Sequence, residues 1–181
     1  MIWMIGKSQK TFLKLSMKNK QIISKLFNNN LNEPLIVAEI SGNHKQSKTT
    51  AKKLIKEIRK SGAQAVKLQT YTPDTMTFDL KNDEFLIKNK KSLWYGEYLY
   101  DLYKKAYTPW GWQKELYDYA KDLGLICFSS VFDDTAIEFL QRINNPIYKI
   151  SSFENTDLEL IKNASLKKKP VILSTGLASL S

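Results

Sequence analysis

Residues 36–44 read IVAEISGNH, and this stretch indicates both the fold and the position of the functional site. Its apolar beginning, interrupted only by Glu39, is typical of a short strand that is buried on both faces. A carboxylate in a buried strand is unfavourable unless it is paired or used in chemistry. At the carboxyl end of a parallel strand, such a group usually serves catalysis. The alternative is that Glu39 caps the next helix or pairs with a neighbouring lysine.

One unit, an apolar strand followed by an amphipathic helix, recurs along the chain. The predicted strands begin near residues 35, 65, 125, 147 and 170. The first helix, over residues 47–62, places apolar residues on one face and lysines on the other. A long aromatic-rich connection, residues 71–107, follows the second strand, and connections of this length are usually functional or contain small elements. The alternation of strands and helices predicts a parallel sheet.

Every predicted strand ends in polar residues, which is the pattern of a (β/α)8 TIM barrel, whose site is assembled from strand ends. The first strand is followed by SGN rather than by the G-x-G-x-x-G turn of a doubly wound dinucleotide-binding sheet. A complete barrel takes about 250 residues, whereas this chain has 181. We therefore predict an incomplete (β/α)8 barrel over residues 34–181, with about five βα units and parallel strands.

Residues 1–33 form a basic leader ahead of the predicted barrel. They contain six lysines and one glutamate, which accounts for half of the net charge of +10. Their pattern fits a weak amphipathic helix, a small hairpin or no stable structure. Met17 offers a second start, so we expect residues 1–16 to be dispensable. The lysines are dispersed and match no nucleic-acid-binding motif, so no nucleic-acid partner is expected.

The composition also bears on the compartment. No run approaches the roughly 18 apolar residues of a membrane span, and the N-terminus lacks the features of a signal peptide. We therefore expect no membrane association. The single cysteine, Cys127, excludes an internal disulfide and indicates a reducing compartment. A cytoplasmic protein is expected.

Polar side chains near the strand ends make up the predicted site. They are Glu39, Asn43, His44, Lys67, Gln69, Ser130, Lys149, Ser152, Glu154 and Ser174. Two lysines on neighbouring strands, with hydroxyl groups beside them, form a site for a compact anion such as phosphate or carboxylate. In one alternative, Lys67 and Lys149 pair with Glu39 and Glu154 inside the barrel. In another, one lysine forms a Schiff base, as in aldolases of this fold.

Two further features have structural interpretations. His44 is the only histidine, and a lone histidine is more often a hydrogen-bonded structural group than a ligand. No His/Cys/Asp/Glu cluster has metal-ligand spacing, so no metal ligand is assigned in this chain. The aromatic stretch 94–112 is interpreted as core and loop packing rather than as a platform for a sugar.

Six motifs together resemble the sialic acid synthase family, and within it the pseudaminic acid synthase branch. They are AEISGNH (38–44), VKLQTYTPDTMT (66–77), SLWYGEYLYDLYKKAYTPWGW (92–112), FSSVFD (128–133), YKISSFE (148–154) and PVILSTGLAS (170–179). The resemblance covers residues 34–181. The segment LYDLYKKAYTPW indicates the pseudaminic branch rather than the N-acetylneuraminate branch.

The resemblance implies condensation of phosphoenolpyruvate with 2,4-diacetamido-2,4,6-trideoxy-altrose, giving a nonulosonic acid and phosphate, in the context of flagellin glycosylation. C3 of phosphoenolpyruvate attacks the open-chain aldehyde of the sugar, water adds at C2, and C–O cleavage expels phosphate. The resemblance also implies a homodimer and a divalent metal (Mn²⁺, Mg²⁺ or Co²⁺) that polarises the aldehyde. The metal ligands of the family lie on strands outside this chain.

The family motifs also imply roles for individual residues. Glu39 is the acid/base that handles the water, and Lys67 and Lys149 hold the phosphate and carboxylate. The hydroxyl groups of Ser130, Ser152 and Ser174 assist the lysines. Gln69 and Glu154 orient the sugar. We expect the chain alone to be inactive unless a downstream polypeptide supplies further strands.

Two alternatives to this function stay open. One is a non-catalytic fragment that binds an anionic sugar or a partner chain through its exposed sheet edges. The other is a synthase of the N-acetylneuraminate or legionaminate type.

Overall fold

A computed structural model describes residues 17–27 and 34–179. Within these ranges the strands are β1 (Val37–Glu39), β2 (Ala65–Thr70), β3 (Ile126–Val131), β4 (Tyr148–Ile150) and β5 (Val171–Leu173). The helices are α1 (Met17–Phe27), α2 (Lys48–Lys60), α3 (Pro73–Met76), α4 (Leu99–Ala106), α5 (Trp110–Asp122), α6 (Asp134–Arg142) and α7 (Leu158–Leu166). None of the helices in the described ranges has the length and apolar composition needed to cross a bilayer.

The five strands form one sheet in the order β1-β2-β3-β4-β5, and every pair is parallel. A doubly wound sheet would reverse its strand order at a switch point, whereas a barrel keeps the order of the chain. The prediction of five barrel-type βα units is therefore confirmed. Ser129 and Ser130 are part of β3, which ends at Val131.

The main core lies between the sheet and the helices on its outer side. Alternate strand residues such as Val66, Leu68 and Tyr148 face this layer and pack against apolar residues of α2, α5, α6 and α7. Three helices begin at side-chain caps. Ser47 accepts a hydrogen bond from the backbone N–H of Thr50 at the start of α2, and Asp133 and Asp157 accept backbone hydrogen bonds in the same way at the starts of α6 and α7. These contacts place each helix against the strands that it joins.

A second apolar cluster covers the inner face of the sheet near the amino ends of the strands. Ile23 of α1 is fully buried at its centre. The strand-side residues of this cluster, which we call the apolar layer, are Val37, Ala65, Ile126, Phe128, Ile147 and Ile172. Of the alternatives considered for the leader, the helix is the one observed for residues 17–27. The expectations for residues 1–16 and 28–33 lie outside the described residues.

The long connection after β2 contains small elements of its own. It holds α3, α4 and an antiparallel bridge between Leu86 and Tyr98. The next helix, α5, has Pro109 at its N-cap position, and no side chain caps it. Thr108 contacts His44, at a distance of 3.0 Å between Oγ1 and Nε2.

Candidate active site

A second set of inner-face residues, the polar layer, lies two positions beyond the apolar layer on each strand. Side chains alternate along a strand, so residues two apart point to the same face. The polar layer comprises Glu39, Lys67, Gln69, Ser130, Lys149 and Ser174. The register pairs Glu39 with Lys67, Gln69 with Ser130 and Ser130 with Lys149, and Ser174 directly follows β5. The structure thus brings six of the ten predicted site residues together on one surface.

Lys67 makes contacts with both neighbouring strands. Its ammonium group forms an ion pair with Glu39 and donates a hydrogen bond to Ser130 Oγ at 3.2 Å. Its side chain is 15% exposed, compared with 35% for Glu39. The hydroxyl group of Ser41 donates to the other carboxylate oxygen of Glu39 at 3.1 Å. The predicted pairing alternative therefore holds for Glu39 and Lys67.

Lys149 is in a different environment. Its ammonium group donates to Ser174 Oγ at 2.6 Å and to the backbone oxygen of Ile150 at 2.5 Å. Within the described ranges, no carboxylate lies within 4.0 Å of its Nζ atom, so the alternative in which Lys149 pairs with Glu154 is not observed. Burial, and then the positive charge of Lys67, lower the pKa of Lys149 to about 8.

The two lysines do not lie on adjacent strands, and that expectation was wrong. β3 separates β2 from β4, and Ser130 of β3 is in register with Lys149. Two strand spacings place the backbones of β2 and β4 about 10 Å apart. Because Ser130 lies between the lysines and already contacts Lys67, a small anion held by both lysines would also meet this hydroxyl group.

The loop after β4 carries two more predicted residues. Ser152 lies against the turn after β5, where a Cβ atom on Gly176 would lie 2.9 Å from Ser152 Oγ. A side chain at position 176 would therefore displace this hydroxyl group. Glu154 is half-buried, and its Oε2 atom has no hydrogen-bond partner within the described structure. Burial raises the pKa of Glu154, although the charge of Lys149 opposes this.

The loop after β1 holds the last two predicted residues. Asn43 is exposed, whereas His44 is fully buried. The Nδ1 atom of His44 accepts a hydrogen bond from the backbone of Gln46 at 3.2 Å, and Nε2 contacts Thr108. Burial lowers the pKa of this ring. Both ring nitrogens are thus engaged, Nδ1 within the β1 loop and Nε2 with the residue that precedes Pro109 and α5. A direct substrate contact by His44 stays a prediction.

Sequence reasoning missed an aromatic group beside the polar layer. The ring of Tyr71 makes edge-to-face contacts with Tyr103 of α4 and with Phe132, at centroid distances of 5.7 and 5.5 Å. Burial, and then the charge of Glu154, raise the pKa of Tyr103, which places this tyrosine near the loop after β4. The aromatic stretch was visible in the sequence, but nothing local indicates that α4 folds back toward the site.

The described residues do not supply a site for the divalent metal that the resemblance implies. No group of three or more His, Cys, Asp or Glu side chains in residues 17–27 and 34–179 is arranged to hold a metal ion. The carboxylate nearest the lysines, Glu39, is already engaged with Lys67 and Ser41.

The fold and the site define a (β/α)-barrel protein whose polar residues gather at the carboxyl ends of its strands. Residues 54–181 match the model of the NeuB family, and the chain belongs to this family. It is 50% identical over 149 residues to the pseudaminic acid synthase of Helicobacter pylori, and 44% identical over 144 residues to that of Campylobacter jejuni. A more distant relative is the N,N'-diacetyllegionaminic acid synthase of Legionella pneumophila, at 32% identity.

The match covers most of this chain but less than half of each relative. It includes 82% of the chain and 43% of the Helicobacter protein, and 80% and 41% in the Campylobacter case. Among solved structures, N-acetylneuraminic acid synthetase from Leptospira borgpetersenii superposes with a TM-score of 0.70 at 26% identity. That superposition covers 82% of this chain and 47% of the synthetase. The relatives thus extend well beyond the part represented by this chain.

Proposed function

We propose that the polar layer binds phosphoenolpyruvate as part of a synthase that condenses it with 2,4-diacetamido-2,4,6-trideoxy-altrose. The products are a nonulosonic acid and phosphate. The observation that carries this proposal is the environment of Lys149. Its half-buried ammonium group bonds to a hydroxyl and a carbonyl, and no carboxylate of the described residues lies within 4.0 Å.

The charges of the layer favour an anionic ligand. Of the two ammonium groups, Lys67 is paired with Glu39, whereas Lys149 has no carboxylate of the described residues within 4.0 Å and interacts with Glu39 and Glu154 only at longer range. A half-buried charge that lacks a partner is unfavourable, and an anion that binds beside it removes part of that penalty. Phosphoenolpyruvate carries a carboxylate and a phosphate, which suits two separated lysines acting as point charges. Ser130 and Ser174 each contact one lysine and can donate to the same ligand.

The remaining steps use Glu39. C3 of the bound enol attacks the aldehyde carbon of the sugar, which forms the new C–C bond, turns the aldehyde oxygen into an alkoxide and leaves positive charge at C2. Water adds at C2 and gives up a proton to the Glu39 carboxylate, which Ser41 and Lys67 hold in place, and this proton then passes to the alkoxide. The bond between C2 and the phosphate oxygen breaks, the C2 hydroxyl group gives its proton to the leaving phosphate, and a keto group remains at C2. The similarity to pseudaminic acid synthases supports the diacetamido sugar as the acceptor.

For this chain the proposal covers binding, because the match spans only 43% and 41% of the two pseudaminic acid synthases. Turnover is proposed for a barrel that a second polypeptide completes, and the chain alone is expected to be inactive. The cytoplasm is the proposed compartment, which the free, buried thiol of Cys127 supports.

Calorimetric titration with phosphoenolpyruvate tests the binding proposal. We expect Lys149→Gln to weaken binding about 10- to 100-fold, because a hydrogen bond to a charged group contributes about 1.5–3 kcal/mol. Lys104→Gln removes the same charge from an exposed position on α4 and serves as the matched control. Equal affinities for the wild-type chain and Lys149→Gln would refute the proposal.

A phosphate-release assay with phosphoenolpyruvate, the sugar and Mn²⁺ tests turnover. We expect release only when the chain is combined with a polypeptide that corresponds to the remaining length of its relatives. Failure of both the chain and the combination would remove the enzymatic function.

A Schiff-base aldolase is a second candidate, and the lowered pKa of Lys149 favours it, because a neutral amine is the nucleophile in imine formation. Borohydride trapping with pyruvate separates the two candidates. The synthase proposal expects no covalent adduct on Lys149, whereas an aldolase would give a stable one.

A further inference from the structure

Three buried polar side chains are hydrogen-bonded to one another on the outer face of the sheet. They are Thr70 of β2, Ser129 of β3 and Gln113 of α5, each fully buried, and we call them the polar network. Thr70 Oγ1 donates a hydrogen bond to Gln113 Oε1 at 2.8 Å and lies 2.7 Å from Ser129 Oγ. A hydroxyl group has one hydrogen to donate, so Thr70 is the acceptor in its contact with Ser129.

The polar network ends on the backbone of two residues of the polar layer. Gln113 Nε2 donates to the backbone oxygen of Gln69 at 3.4 Å, and Ser129 Oγ donates to the backbone oxygen of Ser130 at 3.1 Å. Gln69 and Ser130 are in register on neighbouring strands. Because side chains alternate along a strand, these two point to the inner face while Thr70 and Ser129 point to the outer face. The polar network therefore lies directly behind the site.

The stability of the fold gives little reason for polar groups at these positions. The outer layer around them is apolar and includes Leu68, Val131 and Leu116. A paired buried hydrogen bond contributes little net stability, and replacing both partners by apolar groups of the same shape can be nearly neutral. Hydrogen bonds are directional, however, and a fully satisfied buried network makes its surroundings rigid. A defined backbone position is what the polar network supplies.

We propose that Thr70, Gln113 and Ser129 are positioning residues of the phosphoenolpyruvate site. They act through the backbone of β2 and β3, and they hold the Ser130 hydroxyl group and the Gln69 side chain in place on the inner face. None of the three contacts the ligand. This inference rests on the proposed function, in which Ser130 meets the anion that the two lysines hold.

Two substitutions at Thr70 test the inference in calorimetric titrations with phosphoenolpyruvate. Thr70→Val keeps the shape of the side chain and removes its hydroxyl group, and should weaken binding about three- to tenfold, the equivalent of one neutral hydrogen bond. Thr70→Ser retains the hydroxyl group and should bind as the wild type does. The matched control is Tyr148→Phe, which removes another buried hydroxyl group of the outer layer, one that contacts Gln141, and should leave the affinity unchanged.

A double variant separates positioning from stability. Thr70→Val alone leaves Gln113 Oε1 without its donor and lowers stability, whereas Thr70→Val combined with Gln113→Met replaces both partners by apolar groups and should recover that loss. Chemical denaturation measures this recovery. The affinity should stay lowered in the double variant, because the backbone oxygen of Gln69 has lost its side-chain donor. An affinity that recovers together with stability would overturn the inference, and so would wild-type affinity in Thr70→Val.

The ligand-free chain provides a readout that does not depend on the proposed function. Lys67 Nζ donates to Ser130 Oγ at 3.2 Å, so the ¹³Cε shift of Lys67 reports the position of that hydroxyl group. This shift should change in Thr70→Val and not in Tyr148→Phe, and an unchanged shift in Thr70→Val would overturn the inference. A wild-type chain that does not bind phosphoenolpyruvate would refute the proposed function, while this comparison still decides whether the polar network positions Ser130.

Discussion

The two layers on the inner face of the sheet come from the same strands and differ in what they stabilise. In the apolar layer, Phe128 and Ile147 are buried against Ile23 of α1, and their burial contributes to folding. Two positions further along the same strands lie Ser130 and Lys149, whose polar groups contribute little to the stability of the fold. Residues two positions apart on a strand face the same side of the sheet. The same strands therefore carry both the apolar layer and the polar layer on their inner face.

The comparison predicts that substitutions in the apolar layer mainly change stability. Phe128→Ala should lower the free energy of unfolding by about 3–5 kcal/mol, because it removes a buried aromatic ring and leaves a cavity. Chemical denaturation monitored by circular dichroism measures this. Phe153→Ala, at a ring that is 81% exposed, should change the free energy by less than about 0.5 kcal/mol. Similar losses for both variants would mean that Phe128 is not part of the core.

The second prediction concerns the helix that closes the apolar layer. Ile23→Ala should lower the free energy of unfolding by about 2–4 kcal/mol, because Ile23 is fully buried among the strand residues. The control, Met17→Ala, lies on the same helix at a side chain that is 72% exposed and should have little effect. If Ile23→Ala unfolds at the wild-type denaturant concentration, α1 does not support the sheet.

The affinity of the polar layer for phosphoenolpyruvate should depend on pH. Since the pKa of Lys149 in the folded chain is about 8, this residue loses its proton as pH rises through that value. Phosphoenolpyruvate affinity should then fall, by at most about tenfold per pH unit for one proton. Calorimetry between pH 7 and about pH 10 measures the change. Lys149→Gln should not show this dependence, and a flat profile for the wild-type chain would contradict the assignment.

The lowered pKa of Lys149 affects the stability of the chain in the opposite direction to the affinity for phosphoenolpyruvate. The pKa of Lys149 lies below its value in the unfolded chain, 10.5, so the unfolded state binds more protons between about pH 8 and 10.5. Its contribution to the free energy of unfolding therefore rises with pH across that window and is smallest below it. Lys169, whose pKa burial also lowers to about 8, acts in the same direction. The comparison of the wild-type chain with Lys149→Gln isolates the share of Lys149.

The smallest effect is expected at Ser174. Ser174→Ala removes the hydroxyl group that lies 2.6 Å from Lys149 Nζ, and should weaken phosphoenolpyruvate binding about three- to tenfold. Ser165→Ala removes a hydroxyl group from α7 and should leave the affinity unchanged. Calorimetry on both variants decides between a specific contact and a general effect of losing a hydroxyl group.

The layers also differ in how far the sequence predicts them. Apolar runs located all five strands, and their polar ends located the six residues of the polar layer, because alternation is a local property. The partner of each lysine depends on non-local geometry. Lys67 reaches Glu39, whereas Lys149 meets Ser174 and not Glu154. The distances that decide this depend on strand register and loop shape.

Contacts made by the loops were the least predictable. Gly42 leaves no room for a side chain, because a Cβ atom there would lie 2.9 Å from Ala106. The side chain of Gln46 donates to the backbone oxygen of Tyr107 at 2.6 Å. These contacts join the β1 loop to the end of α4 across roughly sixty residues of sequence. No local pattern signals them, and so the position of Tyr103 beside the site could not be anticipated.

The central claim is that Lys149 holds an anion together with Lys67. Its most direct test follows the Lys149 side chain by NMR, with the ¹³Cε shift titrated against pH in the absence and presence of phosphoenolpyruvate. We predict a pKa of about 8 in the free chain and a clearly higher pKa in the complex, because a bound anion stabilises the ammonium form. A pKa that phosphoenolpyruvate does not change would contradict the account.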